Sequence, residues 1–590
     1  MKFRWSLAPA QPLLAARLAQ DLRIPPLLAQ CLLNRGLDES TAAGAYLDPR
    51  LKHMADPFLL PGMDVAVERL LAARDKKERI TIFGDYDVDG VTSTAILLEI
   101  LRPLGWNVES YLPHRLDEGY GLSLDAVQSC LDRFAPNLLI AVDCGSSSAQ
   151  SVAYLRERGV EVIILDHHQA CSPLPAALAL INPHALSADA QNTLKGGHQT
   201  APFGVQALAC FQELCSAGLA FKLAHALVKG GRERALPGLA EFDVRPLLDL
   251  AALGTIADVV PLIGENRIIV SAGLTRLNST KRPGLIALKA VARSPAVLGT
   301  YEVGFQLAPR LNAAGRLESA QQALQLLLAR DMGEAMPLAQ ALDARNRERQ
   351  SIERSISQDI IRLVAEKFQP ENDYVIVEGQ MPWHIGVVGI VAARVLQRFY
   401  RPTIVMGGGD GEEWRGSGRS IAGFDLAAGL RECDDLLVRH GGHAMAAGLT
   451  IRSGNLDAFR ARLNEVARRN LKPENLQAAL HLDGEVGLDE LSLQNLQALD
   501  RVKPAGHGNR SIQFYSRALA HQRPLERVGA EKQHVKTWVT DGVATYEALW
   551  WGAGNESLPV GKFDLAFAPE INRYNGRPAV QLKVLDWRAG

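Results

Sequence analysis

RITIFGDYDVDGVTST, residues 79–94, decides how the rest of the chain is read. The apolar run around Ile80, Ile82 and Phe83 has the character of a buried strand and breaks at Gly84. It delivers Asp85, Asp87 and Asp89 at alternate positions, then Gly90 and an apolar helical stretch through Ala95, Ile96, Leu98 and Leu101. Carboxylates this close repel one another unless a cation or protons sit among them. A calcium loop of the EF-hand kind fits the first six positions. It then fails, because the twelfth is Ile96 where a bidentate Glu is needed, and because a strand leads into the loop. On this stretch alone a solvated acidic turn stays open.

Working outward, the same pattern recurs. NLLIAV (137–142) ends at Asp143, Cys144 and Gly145; VEVIIL (160–165) ends at Asp166, His167 and His168; ALALIN (177–182) closes the series before Pro183. Short continuous apolar strands separated by helical segments predict a parallel sheet covered on both faces. Ligands bind such sheets at the carboxyl edge, where three successive strands here present acid or imidazole groups.

From 200 to 365 the pattern is mainly helical. LLDLAALGTIADVVPL (247–262) predicts an apolar helix with Asp258 inside it, either capping something locally or facing a charged partner. APRLNAAGRLESA (308–320) sets Arg310, Asn312 and Arg316 around a small-residue loop. A long helix over about 333–368 follows, with Leu342, Ile352, Ile356, Ile360 and Val364 on one stripe and Arg345, Arg347, Arg349 and Arg354 beside acids. Such a helix is a solvated face or a connector between lobes. A second α/β unit begins at 373 and contains two glycine-rich segments, WRGSGRS (414–420) and HGGHAMAAGLTI (440–451). Glycines there would let backbone approach an anion, with Ser417, Arg419, Ser420 and His443 as donors near Gly441 and Gly442. Together the two segments suggest a phosphodiester cleft facing the carboxylate-rich lobe.

Residues 471–590 alternate in short runs with Gly and Asn turns, which predicts a small antiparallel barrel. Trp538, Trp550, Trp551 and Tyr574 there suit single-strand binding, or, for the inward-facing half, core packing. Residues 1–70 read as helical punctuation around prolines, with no chemistry.

Composition narrows the class. At 590 residues the chain is too long for one core, and 47% hydrophobic with 22% charged residues is a soluble globular balance. Seven cysteines without a Cys-x-x-Cys pair argue against a disulfide framework or structural zinc and fit a reducing cytoplasm. No apolar run reaches the length of a membrane span. With a net charge of −1, any nucleic-acid partner must be attracted by local basic grooves.

The set Asp85-x-Asp87-x-Asp89, Asp143-Cys144-Gly145, Asp166-His167-His168, Gly254 to Asp258 and Gly441-Gly442-His443 resembles the DHH phosphoesterase superfamily, in order and spacing, from about 75 to 455. With Ser417 to Ser420, the loop at 311–316 and the barrel-like end, it is similar to the superfamily's single-strand-specific exonucleases. The resemblance implies an α/β fold: a helical segment (1–70), a DHH lobe (71–332), a connecting helix (333–370), a DHHA1 lobe (371–470) and an OB-fold β-barrel (471–590). It implies two divalent ions, Mn2+ or Mg2+, held by Asp85, Asp87, Asp89, Asp143, His167 and Asp258, with Asp143 bridging. Phe83 stands where several relatives carry a metal-binding His, a role Asp85 would take over. Asp87, Asp89, Asp143 and His168 are the implied catalytic set, His168 contacting the scissile phosphate. Arg115, Ser417 and Arg419 are implied to hold a 5′-terminal phosphate and Tyr120 to stack on a base. Arg310, Asn312, Arg316, Gly441, Gly442 and His443 are further implied substrate contacts.

The implied reaction is stepwise release of 5′-mononucleotides from single-stranded DNA in repair and recombination, by a cytoplasmic monomer working beside a single-strand-binding protein and a helicase. The alternatives are hydrolysis of short oligonucleotides, cyclic dinucleotides or pyrophosphate, and a non-catalytic single-strand-binding scaffold. PAGHGNRSIQF (504–514) departs from the superfamily's Gly-Pro-x-Gly-x-x-Asn-Pro-x-Pro pattern before the barrel.

Overall fold

The computed structural model describes residues 3–114, 118–119, 121–170, 172–185, 211–317, 319–408, 412–573 and 576–589, without the side chains of 316 and 317. The chain forms two compact units, one of residues 41–346 with 502–511, the other of 1–40, 347–501 and 512–590.

The first unit is built on five parallel strands: β1 (Arg79–Gly84), β2 (Asn107–Tyr111), β3 (Leu138–Val142), β4 (Glu161–Leu165) and β5 (Ala179–Ile181), in the order β2-β1-β3-β4-β5. Gly84 pairs with Val142, Val142 with Leu165 and Leu165 with Ile181, so the strands end in line. The next residues, Asp85, Asp143 and Asp166, each donate a backbone N–H to the neighbouring strand. That register sets their side chains abreast on one sheet edge, as the strand endings predicted. Phe83 is fully buried and stacks on Tyr111 at 5.4 Å, which makes it core.

Helix α1 (Val88–Leu101) is buried on every side except at Glu99, and packs against α2 (Ser216–Glu233) and α3 (Leu248–Ala257). A helix apolar all round belongs in the centre of a unit. Two expectations need correction here. α3 stops at Ala257, so Asp258 is its C-cap, and Val259 follows with φ 62°. The Asn312 segment is helical, α4 (Ala308–Leu317), where a loop was expected. Small residues permit this close packing: a Cβ on Gly315 would stand 2.4 Å from the Tyr86 carbonyl oxygen.

α5 (Met332–Lys367) is a single 36-residue helix. In the second unit Arg349 pairs with Glu353 at 2.8 Å, and Arg394 with the same carboxylate, so part of the expected arginine row is internally paired.

The second unit holds a mixed sheet of β6 (Ile376–Gly379), β7 (Thr403–Gly407), β8 (Glu413–Arg419), β9 (Leu437–Gly442) and β10 (Ala446–Arg452), ordered β9-β10-β8-β7-β6. The glycine-rich segments expected as anion loops are therefore strands. A Cβ on Gly416 would lie 2.5 Å from Met406 and one on Gly418 2.6 Å from Leu426, so these glycines serve packing. Toward the C-terminus β11 (Phe514–His521), β12 (His534–Thr540), β13 (Thr545–Trp550), β14 (Phe563–Asn572) and β15 (Ala579–Ala589) close a five-strand ring, β11-β14-β15-β13-β12 and back to β11. Trp550 faces its interior, while Trp551 is exposed and Trp538 lies under Arg523 and Lys536 at 4.4 and 4.9 Å. Tyr574 is outside the described residues. The N-terminus contributes a strand that its helical reading missed: Arg4–Leu7 pairs in parallel with Ala479–Leu482, and Trp5 Nε1 donates to Asp586 at 2.9 Å.

Candidate metal centre

Side chains from five segments of the first unit converge at the carboxyl edge of the sheet. The ring of His167 enters from the end of β4, and its Nε2 lies 3.4 Å from Asp143 Oδ1, 3.5 Å from Asp258 Oδ2 and 3.7 Å from Asp89 Oδ2. This nitrogen is buried and makes no hydrogen bond among the described residues. Asp85, Asp87 and Asp143 bring oxygens within 4.8 Å of one another, as do the donor atoms of Asp89, His167 and Asp258, and those of Asp143, His167 and His168. Asp143 thus belongs to clusters on both sides and stands between them. Its backbone is left-handed, φ 64°, an uncommon conformation for a residue other than glycine and one concentrated at functional sites.

The supporting contacts are specific. Ser216 and Ala217, the first residues of α2, donate their N–H groups to the two oxygens of Asp89, each at 2.8 Å. The Ser216 hydroxyl donates to Asp143 Oδ1 at 3.1 Å. A helix N-terminus stabilises a carboxylate in this way through unsatisfied donors and its dipole. Asp87 Oδ1 accepts from the N–H groups of Asp89 and Gly90, capping α1. Asn312 Oδ1 accepts from Val88 N–H at 3.0 Å, so α4 braces the same loop. Asp166 accepts from the N–H groups of Ser146, His167 and His168 and, at 2.8 Å, from His168 Nδ1. That bond fixes the His168 ring and turns its Nε2 away from Asp166.

Electrostatically, the cluster holds more negative charge than it can neutralise itself. Burial, then the charges of Asp89, Asp87, Asp85 and Asp258, push the Asp143 carboxyl well above its usual range. Burial likewise raises Asp89, against the opposing pull of His167, and burial with the charges of Asp89 and Asp87 pushes Asp258 up to about 9. Burial lowers His167, keeping the imidazole neutral and able to act as a ligand. Asp166 behaves oppositely: burial would raise it, but the His168 hydrogen bond and charge and the backbone donors hold it below the usual carboxylate range. Burial alone would lower His168; the Asp166 contact, with Asp258 and Asp89 adding charge, outweighs it and raises the imidazole to about 9. Hard oxygen donors with one neutral imidazole, crowded and basic, fit divalent manganese or magnesium.

Comparison with known proteins places this arrangement. Residues 79–255 match the DHH family, N-terminal domain, 372–469 the DHHA1 domain, and 482–586 the RecJ OB domain. The chain is 36% identical to the single-stranded-DNA-specific exonuclease RecJ of Bacillus subtilis, over 99% of this chain and 71% of that protein. With the RecJ of Escherichia coli the identity is 35%, over 95% of each.

The chain belongs to the RecJ family.

A crystal structure of RecJ from Thermus thermophilus in complex with Mn2+ superposes with a TM-score of 0.81 at 30% identity, covering 100% of this chain and 80% of that one. A second, in complex with Mg2+, gives 0.75 at 29%.

The other residues that the resemblance singled out stand as follows. Arg419 Nη1 donates to Ser417 Oγ at 3.0 Å and to the Gly418 carbonyl at 2.8 Å; burial lowers its pKa, and no carboxylate pairs with it among the described residues. Gly389 lies against both, since a Cβ there would meet Ser417 Oγ at 3.0 Å and an Arg419 nitrogen at 3.1 Å. Arg310 pairs with Asp343 at 2.9 Å. Gly442, with φ 138°, turns the chain between β9 and β10, where His443 N–H donates to Ala446 O; Gly441 and His443 are exposed. Arg115, Tyr120 and the side chain of Arg316 lie outside the described residues. Among these residues no helix is long and apolar enough to cross a membrane. Ser216, the hydroxyl on Asp143, escaped the sequence reading, because C-S-A-G carries no motif in isolation and only the packing of α2 on α1 brings it to Asp89 and Asp143.

Proposed function

We infer that this chain is a metal-dependent exonuclease specific for single-stranded DNA, degrading it from the 5′ end to 5′-mononucleotides. The observation that carries the reading is the buried, hydrogen-bond-free Nε2 of His167 facing three carboxylates at 3.4–3.7 Å. Such a nitrogen is costly unless a cation joins it to those oxygens. The names of the RecJ relatives supply the substrate class.

Asp87, Asp89, Asp143, His167 and Asp258 would hold two divalent ions, with Asp143 shared and Asp85 assisting from the first strand. Bound there, the ions supply an activated nucleophile at neutral pH and neutralise charge on the phosphodiester. The chain's own residues do the rest. Ser216 and the α2 N-terminus hold Asp143 and Asp89 in fixed orientations. His168, kept charged by Asp166, presents Nε2 as a donor to a non-bridging oxygen or to the leaving 3′-oxygen. Arg419 and Ser417, with no carboxylate paired to the guanidinium among the described residues, supply donors for a terminal phosphate, which selects the 5′ end. Arg115, Tyr120, Arg310, Asn312, Arg316, Gly441, Gly442 and His443 belong to the same proposal as substrate contacts, Asn312 acting through the α1 loop. A cytoplasmic monomer supplied with single strands by a helicase and a single-strand-binding protein completes the reading.

Strands labelled at either end and incubated with Mn2+ or Mg2+ test it. Mononucleotides released first from the 5′ end are expected; release from the 3′ end, or cleavage confined to dinucleotides, rejects it.

A further inference from the structure

The segment 502–511, which overlaps the stretch 504–514 where the sequence departs from the superfamily pattern, folds into the unit that carries the metal cluster, not into the unit that holds the flanking residues. It is held as a strap. Buried Arg267 donates to the carbonyls of Val502 and Lys503, and Asn509 donates to those of Val502 and Pro504 while accepting from Tyr46. Leu262 N–H donates to His507 O at 2.8 Å, and Thr300 Oγ1 to Ala505 O at 2.6 Å. A Cβ on Gly506 or Gly508 would come within 2.7 Å of Leu262 or 2.8 Å of Pro261, so the glycines let the strap lie flat there. Lys503, His507 and Arg510 are exposed along it.

Next to Thr300, the helical chain leading into α4 makes a π-turn at Val303–Leu307. Tyr301 and Phe305, 63% and 70% exposed, stack on each other there at 5.0 Å and 30°. π-turns recur at functional sites. This one packs on α3: a Cβ on Gly304 would touch Ile256, two residues before Asp258. Val259, directly after Asp258, is 63% exposed in its left-handed conformation. Glu302, the acid between the two aromatics, is occupied in accepting the Gly299 N–H at 2.7 Å. The surface therefore combines open aromatic rings with cationic side chains beside the metal centre, the composition that binds single strands without regard to sequence.

We propose that Tyr301 and Phe305, with Lys503, His507 and Arg510 of the strap, form a stacking platform for nucleotides of the single strand beyond those held at the metal centre. This rests on the exonuclease reading and adds a subsite to it. The strap thus has a substrate-binding purpose that its pattern alone did not reveal.

The full-length protein carrying Tyr301→Ala and Phe305→Ala is compared with the unaltered chain on a 5′-phosphorylated thymidine 20-mer and on the dinucleotide. Metal-free affinity for the 20-mer is expected to fall roughly ten- to a hundredfold, and kcat/KM on it with Mn2+ to fall with it, while dinucleotide hydrolysis is unchanged. 5-Iododeoxyuridine placed along the 20-mer is expected to photo-cross-link to Tyr301 or Phe305. Lys503→Gln with Arg510→Gln, which leaves the aromatic pair intact, should reduce the salt dependence of binding by about two counter-ions. Unchanged 20-mer affinity, or equal loss on both substrates, overturns the platform. So does loss of self-association in place of DNA affinity, which would mark a protein interface. An unaltered chain that neither binds nor cleaves the 20-mer overturns the exonuclease reading itself, and is seen before any variant is made.

Discussion

Ser216 Oγ stands 3.1 Å from Asp143 Oδ1 and gives this carboxylate, the proposed bridge, a hydrogen bond between two fully buried side chains. Outer partners of this kind orient metal ligands. Ser216→Ala should therefore lower Mn2+ affinity by about tenfold with little change in thermal midpoint. Calorimetric titration of the metal-free protein checks it; unaltered affinity would show the hydroxyl to be incidental.

Asp143 itself is expected to have opposed effects on stability and function. Without a cation it adds a fifth carboxylate to a crowded site, and its ionisation is resisted by burial and by Asp89, Asp87, Asp85 and Asp258. Asp143→Asn should abolish hydrolysis, yet in chelator the variant should melt at or above the unaltered protein. Added Mn2+ should then stabilise the variant far less. Parallel thermal melts with and without metal decide this, and retained turnover would reject the assignment.

The sheet and its carboxyl edge were legible because each strand is a short apolar run ending in an acid or imidazole, and register does the rest. Asp166 shows the limit. In the sequence it looks equivalent to Asp143, but the structure turns it onto Ser146 N–H and the ring of His168, away from the cluster. What separates the two is φ 64° at Asp143 and the turn after β4, which no periodicity encodes. The helical α4 was read as a loop because Asn312 and Gly315 are poor helix formers; the packing instead uses Gly315, where a Cβ would strike the Tyr86 carbonyl oxygen, to lay the helix against that backbone. The N-terminal strand pairs with residues some 470 positions away, beyond the reach of any local pattern.

Gly254 is a sharper test of the same packing. A Cβ there would fall 2.4 Å from Thr92 Oγ1, 2.5 Å from Ala217 Cβ and 3.1 Å from Asp89 Oδ1. Gly254→Ala must push α3 away from α1 and α2 and disturb Asp89, the proposed ligand between them. A loss of about 1–3 kcal/mol in stability is expected from the overpacking, with a larger loss of Mn2+ binding. Denaturant titration and metal titration measure the two separately; a variant with normal metal affinity would mean that the helices yield without moving Asp89.

Among the described residues Arg419 has Ser417 Oγ and the Gly418 carbonyl as its partners, and burial already disfavours its charge. An anion reaching the guanidinium gains a cation that no carboxylate among the described residues already pairs with. Arg419→Ala should reduce kcat/KM on 5′-phosphorylated strands by about tenfold or more, the range for a lost charge-assisted bond, and much less on 5′-hydroxyl strands. Equal losses on the two would place the guanidinium in a structural role.

The protonation of the centre gives metal binding a defined pH dependence. Asp258 is raised from an ordinary 3.8 to about 9 by burial and by Asp89 and Asp87. Between those values the folded, metal-free chain binds more protons than the unfolded one. Its stability therefore falls as pH rises through the window, since the slope of unfolding free energy follows the difference in bound protons. A divalent ion removes the repulsion and displaces the protons, so its stabilising effect must grow with pH across the same interval. The gain in thermal midpoint on adding Mn2+ should be larger at pH 8 than at pH 6, with protons released on binding, measurable by titration calorimetry in buffers of different ionisation enthalpy. A gain that shrinks with pH, or binding without proton release, would mean that the carboxylates are already ionised in the metal-free protein and that the cluster is not the basic site described above.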